Sequence, residues 1–456
     1  MEMINRPLCD LEKYFGKSSQ DSRVIRGFSV DSRCIEPGFV FFALPGNKVD
    51  GHTFLQEVFD KGAIAAVVSS DRASGSDLVL ISVDDVLLSL HRLARDFVAS
   101  QSSRIVAITG SVGKTTTKEF CASLLSSRYT VFKTPGNANS QIGLPLSLLN
   151  QSSLPEICIL EMGMSGLGQI ARLVGIAPPE LAVITKIAPA HLEFFSEGLS
   201  GIAKAKSEIC LHPLTKHAII NSQASVFDVI VNSGEYSTTF YSADPNARYP
   251  CTQYLCHQKD ASVCILDAKE QSPWIVVPFT ESHWIENFMA AALVARYFGI
   301  SWKEIQEVAA HLPVIERRFE RVEKSGIVFI SDCYNANPVS MKAALSSLPR
   351  PAVGGRVVAV LGHMVELGEY SFLFHEDIGF FAADYVDHLF CLGEKCIPLK
   401  NAFAQSGKGA CIFYDIDEMK KQVFAYLHAG DVVLIKASNS VGLWRLLESD
   451  EIGLCF

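Results

Sequence analysis

The middle of the chain alternates short apolar runs with stretches of helical periodicity. The runs RIVAIT, TVFK, ICILEMG and LAVITKI predict strands, and predicted helices begin at Lys114, near Ile142 and after Gly166. Strands that alternate with helices favour right-handed crossovers, which produce a mostly parallel sheet. We therefore predict an α/β domain with a parallel sheet in the centre of the chain.

The region before this domain has an apolar pattern of its own. Short apolar runs at residues 40–44, 63–68 and 78–83 are separated by polar, glycine-containing turns, and helical periodicity starts at Asp84. Such a pattern is typical of a small α/β domain. We place this N-terminal domain at residues 1–97.

The last third of the chain repeats the alternation of strands and helices. A β-rich stretch at residues 238–279 and helical patterns at 284–298 and 302–312 precede it, and Pro313 ends the helical periodicity. The predicted strands that follow are IVFISD, RVVAVLG, HLFCLG, CIFYD and DVVLIKA, each with a helix after it. This pattern predicts a doubly wound, Rossmann-like domain at residues 313–456, and it leaves residues 98–312 as the central domain.

Composition and charge narrow the possible functions. A length of 456 residues suits about three domains. The net charge of −9 disfavours a nucleic-acid or anionic-membrane surface, since both need clustered Lys and Arg. The 13 cysteines are scattered singly, which predicts buried thiols in a reducing compartment. Because the sequence shows neither a secretory signal nor an apolar run of membrane-spanning length, we expect a cytoplasmic protein.

The segment GSVGKTT carries the clearest chemistry. It follows a strand of β-branched residues and directly precedes a helix, as phosphate binding requires, although Ile108 replaces the first glycine of the usual motif. Glycines let backbone N–H groups turn toward phosphate oxygens, Lys114 offsets the charge of the outer phosphates, and Thr115 can reach a magnesium ion. An ordinary glycine-rich turn is the alternative. The predicted nucleotide-binding residues are Gly110, Ser111, Val112, Gly113, Lys114, Thr115 and Thr116.

Two side chains at strand ends are candidates for a metal site. Glu161 ends the run ICILEMG, and His191 follows the run LAVITKI. Both runs end at the carboxyl edge of the predicted sheet, where open α/β sheets bind their ligands. Taken singly, an edge carboxylate is more often a helix cap or a solvated group, and a lone histidine is usually structural. Their joint position beside the loop favours metal binding.

The order of motifs along the chain resembles that of the Mur ligase family. Residues 31–54, DSRCIEPGFVFFALPGNKVDGHTF, are similar to the family's uridine-nucleotide-binding segment. The central region carries ITGSVGKTTTKEF, NANSQIGLPLSLL, EMGMSGLGQI, AHLEFF, AKSEI and HWIENFMAAALVA. The last region carries RRFERV, DCYNANPVSM, VLGHMVELGEY with His375, and IKASNS. The resemblance implies an ATP-dependent ligase that forms an amide bond through an acyl phosphate.

One segment favours a particular branch of the family. The sibling ligase that adds the third amino acid usually carries a DNPR-type motif, whereas residues 332–338 here read DCYNANP. The resemblance therefore implies that D-alanyl-D-alanine is joined to UDP-N-acetylmuramoyl-tripeptide during synthesis of a peptidoglycan precursor. The alternatives are a sibling ligase that adds one amino acid, a folate-type polyglutamate ligase, which lacks the uridine-binding domain, and a regulatory NTPase.

The resemblance also implies substrate and nucleotide contacts. Ser32 and Arg33 would contact the UDP-sugar, and the same pocket would be lined by Asp50, Gly51 and His52. The residues that would meet ATP, in addition to the loop, are Asn287, Arg318, Asp332 and Asn335. Four positions depart from the common pattern of the family, and these concern the contacts with the amine substrate: Lys186, His363, Ala437 and Asn439.

Two magnesium ions are implied in the same way. Thr115 and Glu161 would hold the first, and His191 and Lys206 the second, since Lys206 matches the lysine that is carbamylated in related ligases. Lys114, His191 and Lys206 are thus the expected catalytic residues. Successive helical residues differ by about 100°, so Lys204 and Lys206 point roughly 200° apart and only one can face the site. We expect a monomer that uses ATP and magnesium.

Overall fold

The computed structural model describes residues 4–46, 49–72, 78–231, 234–249 and 251–447, which form three β-sheets. The first sheet has four parallel strands in chain order: β1 (Gly27–Ser29), β2 (Phe39–Phe42), β3 (Ala65–Ser69) and β4 (Val79–Val83). Its helices are α1 (Leu8–Tyr14), α2 (Leu55–Asp60) and α3 (Val86–Ala99). Helix α3 begins after Asp85 because that carboxylate accepts a hydrogen bond from the Leu88 N–H at 2.8 Å.

The central sheet has nine strands in the order β13-β12-β11-β10-β9-β8-β5-β7-β6. The strands are β5 (Arg104–Thr109), β6 (Val131–Lys133), β7 (Ile157–Glu161), β8 (Leu181–Ile184), β9 (His217–Asn221), β10 (Ser237–Ser242), β11 (Tyr254–Lys259), β12 (Ser262–Leu266) and β13 (Ile275–Val276). Strands β5 to β11 are parallel, and β12 and β13 add an antiparallel edge. Because β5 lies between β7 and β8, the loop after β5 opens beside the ends of both neighbours.

Helices cover this central sheet and bury its strands. They are α4 (Lys114–Leu125), α5 (Gly143–Leu149), α6 (Gln169–Ile176), α7 (Leu199–Ser207), α8 (Asp228–Val231), α9 (Ser282–Tyr297) and α10 (Trp302–Ala309). Strand β7 is buried along its whole length, as expected for a parallel strand covered on both faces. Helix α9 packs beside α4, where Phe288 and Phe120 are both fully buried.

The third sheet has six strands in the order β14-β15-β19-β16-β17-β18. They are β14 (Glu320–Lys324), β15 (Ile327–Ser331), β16 (Val357–Gly362), β17 (His388–Leu392), β18 (Gly409–Phe413) and β19 (Val432–Lys436), with helices α11 (Pro338–Ser346), α12 (Ser371–Ala382), α13 (Ile397–Ala404) and α14 (Ile416–Tyr426). All pairs are parallel except the edge pair β14 and β15. Strand β19 lies between β15 and β16, so Leu434 pairs with Ile330 on one side and Ala359 on the other.

The structure differs from the predicted elements at two places in the third region. The last predicted strand is followed by two short 3₁₀ turns, at Asn439–Val441 and Leu443–Leu446, and not by the predicted helix. Gly442 separates these turns with a left-handed backbone (φ 78°), which interrupts helical geometry. Strand β14 was not predicted, because ERVEK is a mostly charged sequence whose side chains remain partly or largely exposed at a sheet edge.

The described residues also bear on the cysteines and on membrane insertion. Every cysteine in this part of the chain is a free thiol, and most are buried as predicted, whereas Cys34 is exposed. No helix within the described ranges combines the length and the apolar composition needed to cross a membrane.

Candidate nucleotide and metal site

The loop between β5 and α4 has the backbone that its glycines allow. Gly110 and Gly113 have φ angles of 151° and 86°, which L side chains rarely adopt. A Cβ atom at Gly110 would overlap the hydroxyl of Thr185, and one at Gly113 would overlap the side-chain oxygen of Asn287. Both glycines are therefore required by conformation and by close packing, so an ordinary substitution would displace the loop.

A cavity of about 570 Å³ opens in front of this loop. It reaches from the carboxyl ends of the central strands to the third sheet, as the sequence predicts for an open α/β fold. Gly110 is the one loop residue outside the lining. The sequence-predicted residues that line the cavity are Ser111, Val112, Gly113, Lys114, Thr115, Thr116, Glu161, His191, Lys206, Asn287, Arg318, Asp332 and Asn335.

Thr115 and Glu161 meet at the floor of the cavity. The Thr115 hydroxyl donates a hydrogen bond to Glu161 Oε2 at 2.7 Å, and it accepts one from Arg318 Nη2 at 2.8 Å. Asn139 Nδ2 donates to the other carboxylate oxygen of Glu161, also at 2.7 Å. Glu161 is only 2% exposed, and the hydrogen bonds to both of its carboxylate oxygens hold the group in one orientation.

These oxygen atoms fit a magnesium ion whose ligands come partly from the protein and partly from the phosphates of a nucleotide. Magnesium prefers oxygen ligands and commonly takes one or two carboxylates from the protein, with phosphates and waters completing its shell. Glu161 and the Thr115 hydroxyl supply such donors directly beside the loop. Within the described ranges, no group of three or more His, Cys, Asp or Glu side chains forms a complete metal cage. Thr115 and Glu161 would thus supply part of the shell of a bound magnesium ion, and the nucleotide and water would supply the rest.

Two lysines approach the cavity with different environments. Lys114 Nζ donates to the Gly110 carbonyl at 2.9 Å, and burial lowers its pKa although the Glu161 carboxylate acts in the opposite direction. Lys206 is 2% exposed, and burial together with the Lys114 charge lowers its pKa well below the usual value. Lys204 is exposed, whereas Lys206 lines the cavity. This agrees with the expectation that only one of the two lysines can face the site.

His191 joins the central region to the third region. It has a left-handed backbone (φ 61°), and its Nδ1 atom lies 2.5 Å from Glu366 Oε2. The contact with His191 is the main cause that lowers the pKa of Glu366. The backbone N–H of Glu193 also donates to the Glu366 carbonyl at 3.3 Å. His191 therefore reaches the cavity from a position that the third region contacts directly.

The third region contributes one wall of the cavity. The Arg318 guanidinium lies 4.1 Å from the centre of the Tyr334 ring while it donates to Thr115. Asp332 Oδ2 pairs with Lys436 Nζ at 2.6 Å, and the same ammonium donates to the Asn335 carbonyl at 3.0 Å. Since Lys436 is 1% exposed, this pair fixes the end of β15 and the loop after it.

Several cavity residues were missed as individual site residues by the sequence analysis. The motifs NANSQIG and HWIEN were recognised as family segments, but most of their side chains were given no role. His283 is one example, because burial lowers its pKa and its Nδ1 atom has no hydrogen-bond partner in the described part of the chain. The other missed lining residues include Asn137, Asn139, Ser140, Gln141, Met164, Ser165, Gln169, Tyr241, Trp284, Glu286 and Tyr334.

The predicted uridine-binding residues lie apart from this cavity and are paired with their own neighbours. Arg33 Nη2 is 2.6 Å from Asp31 Oδ2, and its hydrogen bonds lower the pKa of Asp31 to about 2. Asp50 accepts hydrogen bonds from the backbone N–H and Nδ1 of His52, at 3.0 and 2.7 Å. None of Ser32, Arg33, Asp50, Gly51 and His52 is among the described residues that line the cavity. Residues 47 and 48 of this segment lie outside the described residues.

Three family models match the chain in order along its length. The Mur ligase family catalytic domain matches residues 24–97, the Mur ligase middle domain residues 108–295, and the Mur ligase glutamate ligase domain residues 317–439. The chain belongs to the Mur ligase family. It is an ATP-dependent ligase that forms carbon–nitrogen bonds, and the predicted three-domain α/β fold is confirmed. The domain boundaries at 97/98 and 312/313 stay predictions.

Relatives match this Mur ligase over almost its whole length. The UDP-N-acetylmuramoyl-tripeptide--D-alanyl-D-alanine ligase of Bacillus subtilis is 32% identical over 435 residues, which are 94% of this chain and 93% of the relative. The ligase of the same name from Synechocystis sp. is 33% identical over 433 residues, covering 93% and 91%. The likeness therefore extends through all three regions.

Solved structures agree with this Mur ligase in fold. The MurF ligase from Thermotoga maritima in complex with ADP has a TM-score of 0.80 and 31% identity, covering 93% of this chain and 96% of that one. MurF from Acinetobacter baumannii has a TM-score of 0.85 and 26% identity, covering 97% and 98%. Both likenesses extend over the whole three-domain arrangement.

Proposed function

We propose that this Mur ligase joins D-alanyl-D-alanine to UDP-N-acetylmuramoyl-tripeptide, with ATP converted to ADP and phosphate. The observation that carries the proposal is full-length likeness to two ligases named for this reaction, at 32% and 33% identity. The cavity adds chemical support, because it combines a phosphate-binding loop with a buried carboxylate and two lysines. The product would be a peptidoglycan precursor.

The reaction needs activation of a carboxylate. At neutral pH a carboxylate resists attack by an amine, because its carbonyl carbon is electron-rich and oxide is a poor leaving group. Transfer of the γ-phosphoryl group to the tripeptide carboxylate gives an acyl phosphate, which the free amine of the dipeptide attacks with release of phosphate. Lys114 and the amides of the loop would offset the charge that develops on the transferring phosphoryl group.

The residues proposed to bind magnesium would act on the same phosphoryl and carboxylate groups. Thr115 and Glu161 would hold one magnesium ion, and His191 and Lys206 a second. Magnesium supplies positive charge that stabilises the phosphates and the acyl oxygen. Carbamylation of Lys206 requires its neutral amine, and the lowered pKa of this lysine favours that form. Carbon dioxide would convert the amine into an anionic oxygen ligand, whereas an ammonium at this position would repel a cation.

The proposal also includes the predicted contacts with ATP and with the UDP-sugar. Asn287, Arg318, Asp332 and Asn335 would contact ATP, a role supported by their position around the cavity. Ser32, Arg33, Asp50, Gly51 and His52 would contact the UDP-sugar. We also propose a monomeric enzyme in the cytoplasm, where ATP is supplied.

The test offers each candidate acceptor with each candidate amine. Purified enzyme receives ATP, magnesium and one acceptor, which is UDP-N-acetylmuramoyl-tripeptide, the UDP-linked dipeptide precursor or a folate. The amine is D-alanyl-D-alanine or a single amino acid, and products are identified by mass spectrometry. The proposal expects the pentapeptide product with the dipeptide only. Efficient addition of a diamino acid to the dipeptide precursor would identify a sibling ligase, and glutamate addition to a folate would identify a folate-type enzyme. ATP hydrolysis that needs neither substrate would indicate a regulatory NTPase.

A further inference from the structure

Lys118 is a buried charged side chain that none of the roles above uses. It lies one turn beyond Lys114 on α4 and is fully buried. Its Nζ atom donates to the carbonyl oxygens of Thr134 and Gly136, at 2.7 and 2.8 Å. It is also 4.0 Å from Glu161 Oε2. The ammonium therefore joins the turn after β6 to the side of the magnesium carboxylate.

The turn held by Lys118 and the residues after it form three further hydrogen bonds with the end of β7. The Thr134 hydroxyl accepts a hydrogen bond from the Glu161 N–H at 3.1 Å. Asn139, five residues later, donates its side-chain amide to Glu161 Oε1 at 2.7 Å, and its carbonyl accepts from the Gly163 N–H at 2.8 Å. The position of Asn139, and with it the orientation of the Glu161 carboxylate, depends on where this turn lies.

A lysine is a costly way to fill a buried position. Taking an ammonium out of water is strongly unfavourable unless acceptors and opposite charge surround it. Here two carbonyl oxygens, Glu119 at 3.4 Å and Glu161 at 4.0 Å provide both. A methionine of similar length would fill the same space without the charge but would leave those carbonyls without their donor.

We propose that Lys118 is a positioning residue for the ligase reaction. It fixes the turn at residues 134–136, and through Asn139 it holds the Glu161 carboxylate toward Thr115 in the orientation that a magnesium ion shared with the nucleotide needs. Lys118 itself is not among the described residues that line the cavity, so we assign it no contact with nucleotide or substrate. The inference rests on the proposed metal role of Glu161, but it does not depend on which amine is joined.

The decisive measurement is metal binding, because it is separate from turnover. Mn²⁺ binding to the enzyme with saturating ADP is followed by electron paramagnetic resonance, and metal-free ADP binding by calorimetry. Loss of a group that orients a metal ligand typically costs 10- to 100-fold in metal affinity. We expect Lys118→Met to weaken Mn²⁺ binding by about tenfold or more, while metal-free ADP affinity and the KM for the UDP-linked peptide change less than about twofold.

A second variant leaves the buried lysine in place. Asn139→Ala removes the link between the turn and Glu161, and it should weaken Mn²⁺ binding to the same extent as Lys118→Met. The double variant should lose no more than either single variant, because both act along one connection. Lys133→Met is the matched control, since this exposed lysine lies at the end of β6 and pairs with Glu119, and it should bind Mn²⁺ normally.

The outcomes separate positioning from simple stability. Normal Mn²⁺ affinity in a folded Lys118→Met enzyme overturns the proposal, as does an equal loss of metal-free ADP binding. If Lys118→Met does not fold, normal Mn²⁺ affinity in Asn139→Ala overturns it by itself. An enzyme that binds Mn²⁺·ADP as expected but joins a different amine would contradict the proposed function and leave the role of Lys118 intact.

Discussion

The nucleotide cavity and the segment at residues 31–54 use their charged side chains in opposite ways. In the cavity, Lys206 is buried with no hydrogen-bond partner among the described residues, and Lys114 has only a carbonyl oxygen. In the N-terminal segment, Arg33 pairs with Asp31, and Asp50 pairs with Arg72, which follows the segment. These two cavity lysines therefore keep hydrogen-bonding capacity that the described residues do not use, whereas these charged side chains of the N-terminal segment are paired with oppositely charged neighbours.

The two sites therefore differ in which charged contacts must be replaced when a ligand binds. Surface ion pairs contribute little, so a phosphate could replace Asp31 beside Arg33 at small cost, particularly as the Arg33 side chain is 84% exposed. A charged lysine that is buried without a partner is unfavourable, so burial favours the neutral amine of Lys206. Substitutions in the cavity should therefore have large effects on the chemical step, and those in the N-terminal segment small effects on substrate binding.

The largest effect is expected for Lys114→Ala. This change removes the fixed ammonium beside the outer phosphates, which should cost roughly 3 kcal/mol or more, on the order of a hundredfold in kcat. Folding should be nearly unaffected. Phosphate release and thermal unfolding measured side by side check both points, and near-normal turnover in a folded variant would remove this lysine from the mechanism.

The next effect concerns Lys206, with Lys204 as its control on the same helix. Lys206→Ala should retain only a small part of the activity, a loss on the order of 10- to 100-fold, because a carbamylated ligand would be missing. Lys204→Ala should be close to normal, since that side chain is exposed. Short carboxylates added to the assay should partly restore Lys206→Ala. Equal, mild effects of the two substitutions would contradict a metal role for Lys206.

Arg318→Ala should have an intermediate effect. Its guanidinium connects Thr115 with Tyr334 of the third region, so its loss removes a charged hydrogen bond at the nucleotide. We expect KM for ATP to rise roughly tenfold, as for other hydrogen bonds to charged groups. Steady-state kinetics with varied ATP provide the measurement. Arg321→Ala, which alters an exposed arginine on β14, serves as the control and should leave this KM unchanged.

The smallest effect is expected for Arg33→Ala in the N-terminal segment. The KM for the UDP-linked peptide should rise about threefold with kcat unchanged, because exposed charge contacts are weak. Arg23→Ala breaks a comparable surface pair with Asp21 outside this segment and should change neither constant. A large fall in kcat for Arg33→Ala would mean that the two sites do not differ as their charge pairing indicates.

The sequence predicted those site residues that a local pattern identifies. Lys114 and Thr115 follow from the glycine-rich loop, and Glu161 follows from the end of an apolar strand. The contact of Asn139 with Glu161 was not predictable, because it depends on how the turn after β6 lies against β7. The approach of Glu366 to His191 was missed for the same reason, since periodicity within each region carries no information about how the regions contact one another.

Strand prediction succeeded or failed for similar physical reasons. Strands β5 and β7 are buried and apolar, so their sequences are distinctive. Strand β14 is a charged edge strand, and β1 has only 3 residues, so neither has an apolar run long enough to recognise. The missing final helix depends on the left-handed backbone of Gly442, which the identity of the residue permits but does not require.

The central position of β19 has a consequence for how the protein folds. Among the described residues, strands β15 and β16 are joined only through β19, which follows both in the chain. The third sheet therefore needs contacts between distant segments before it is continuous. Such non-local contacts pay for loop closure before they return stability, and they slow folding. The first sheet pairs its strands in chain order. Pulsed hydrogen exchange during refolding should therefore find amides of β2 and β3 protected earlier than those of β15 and β16.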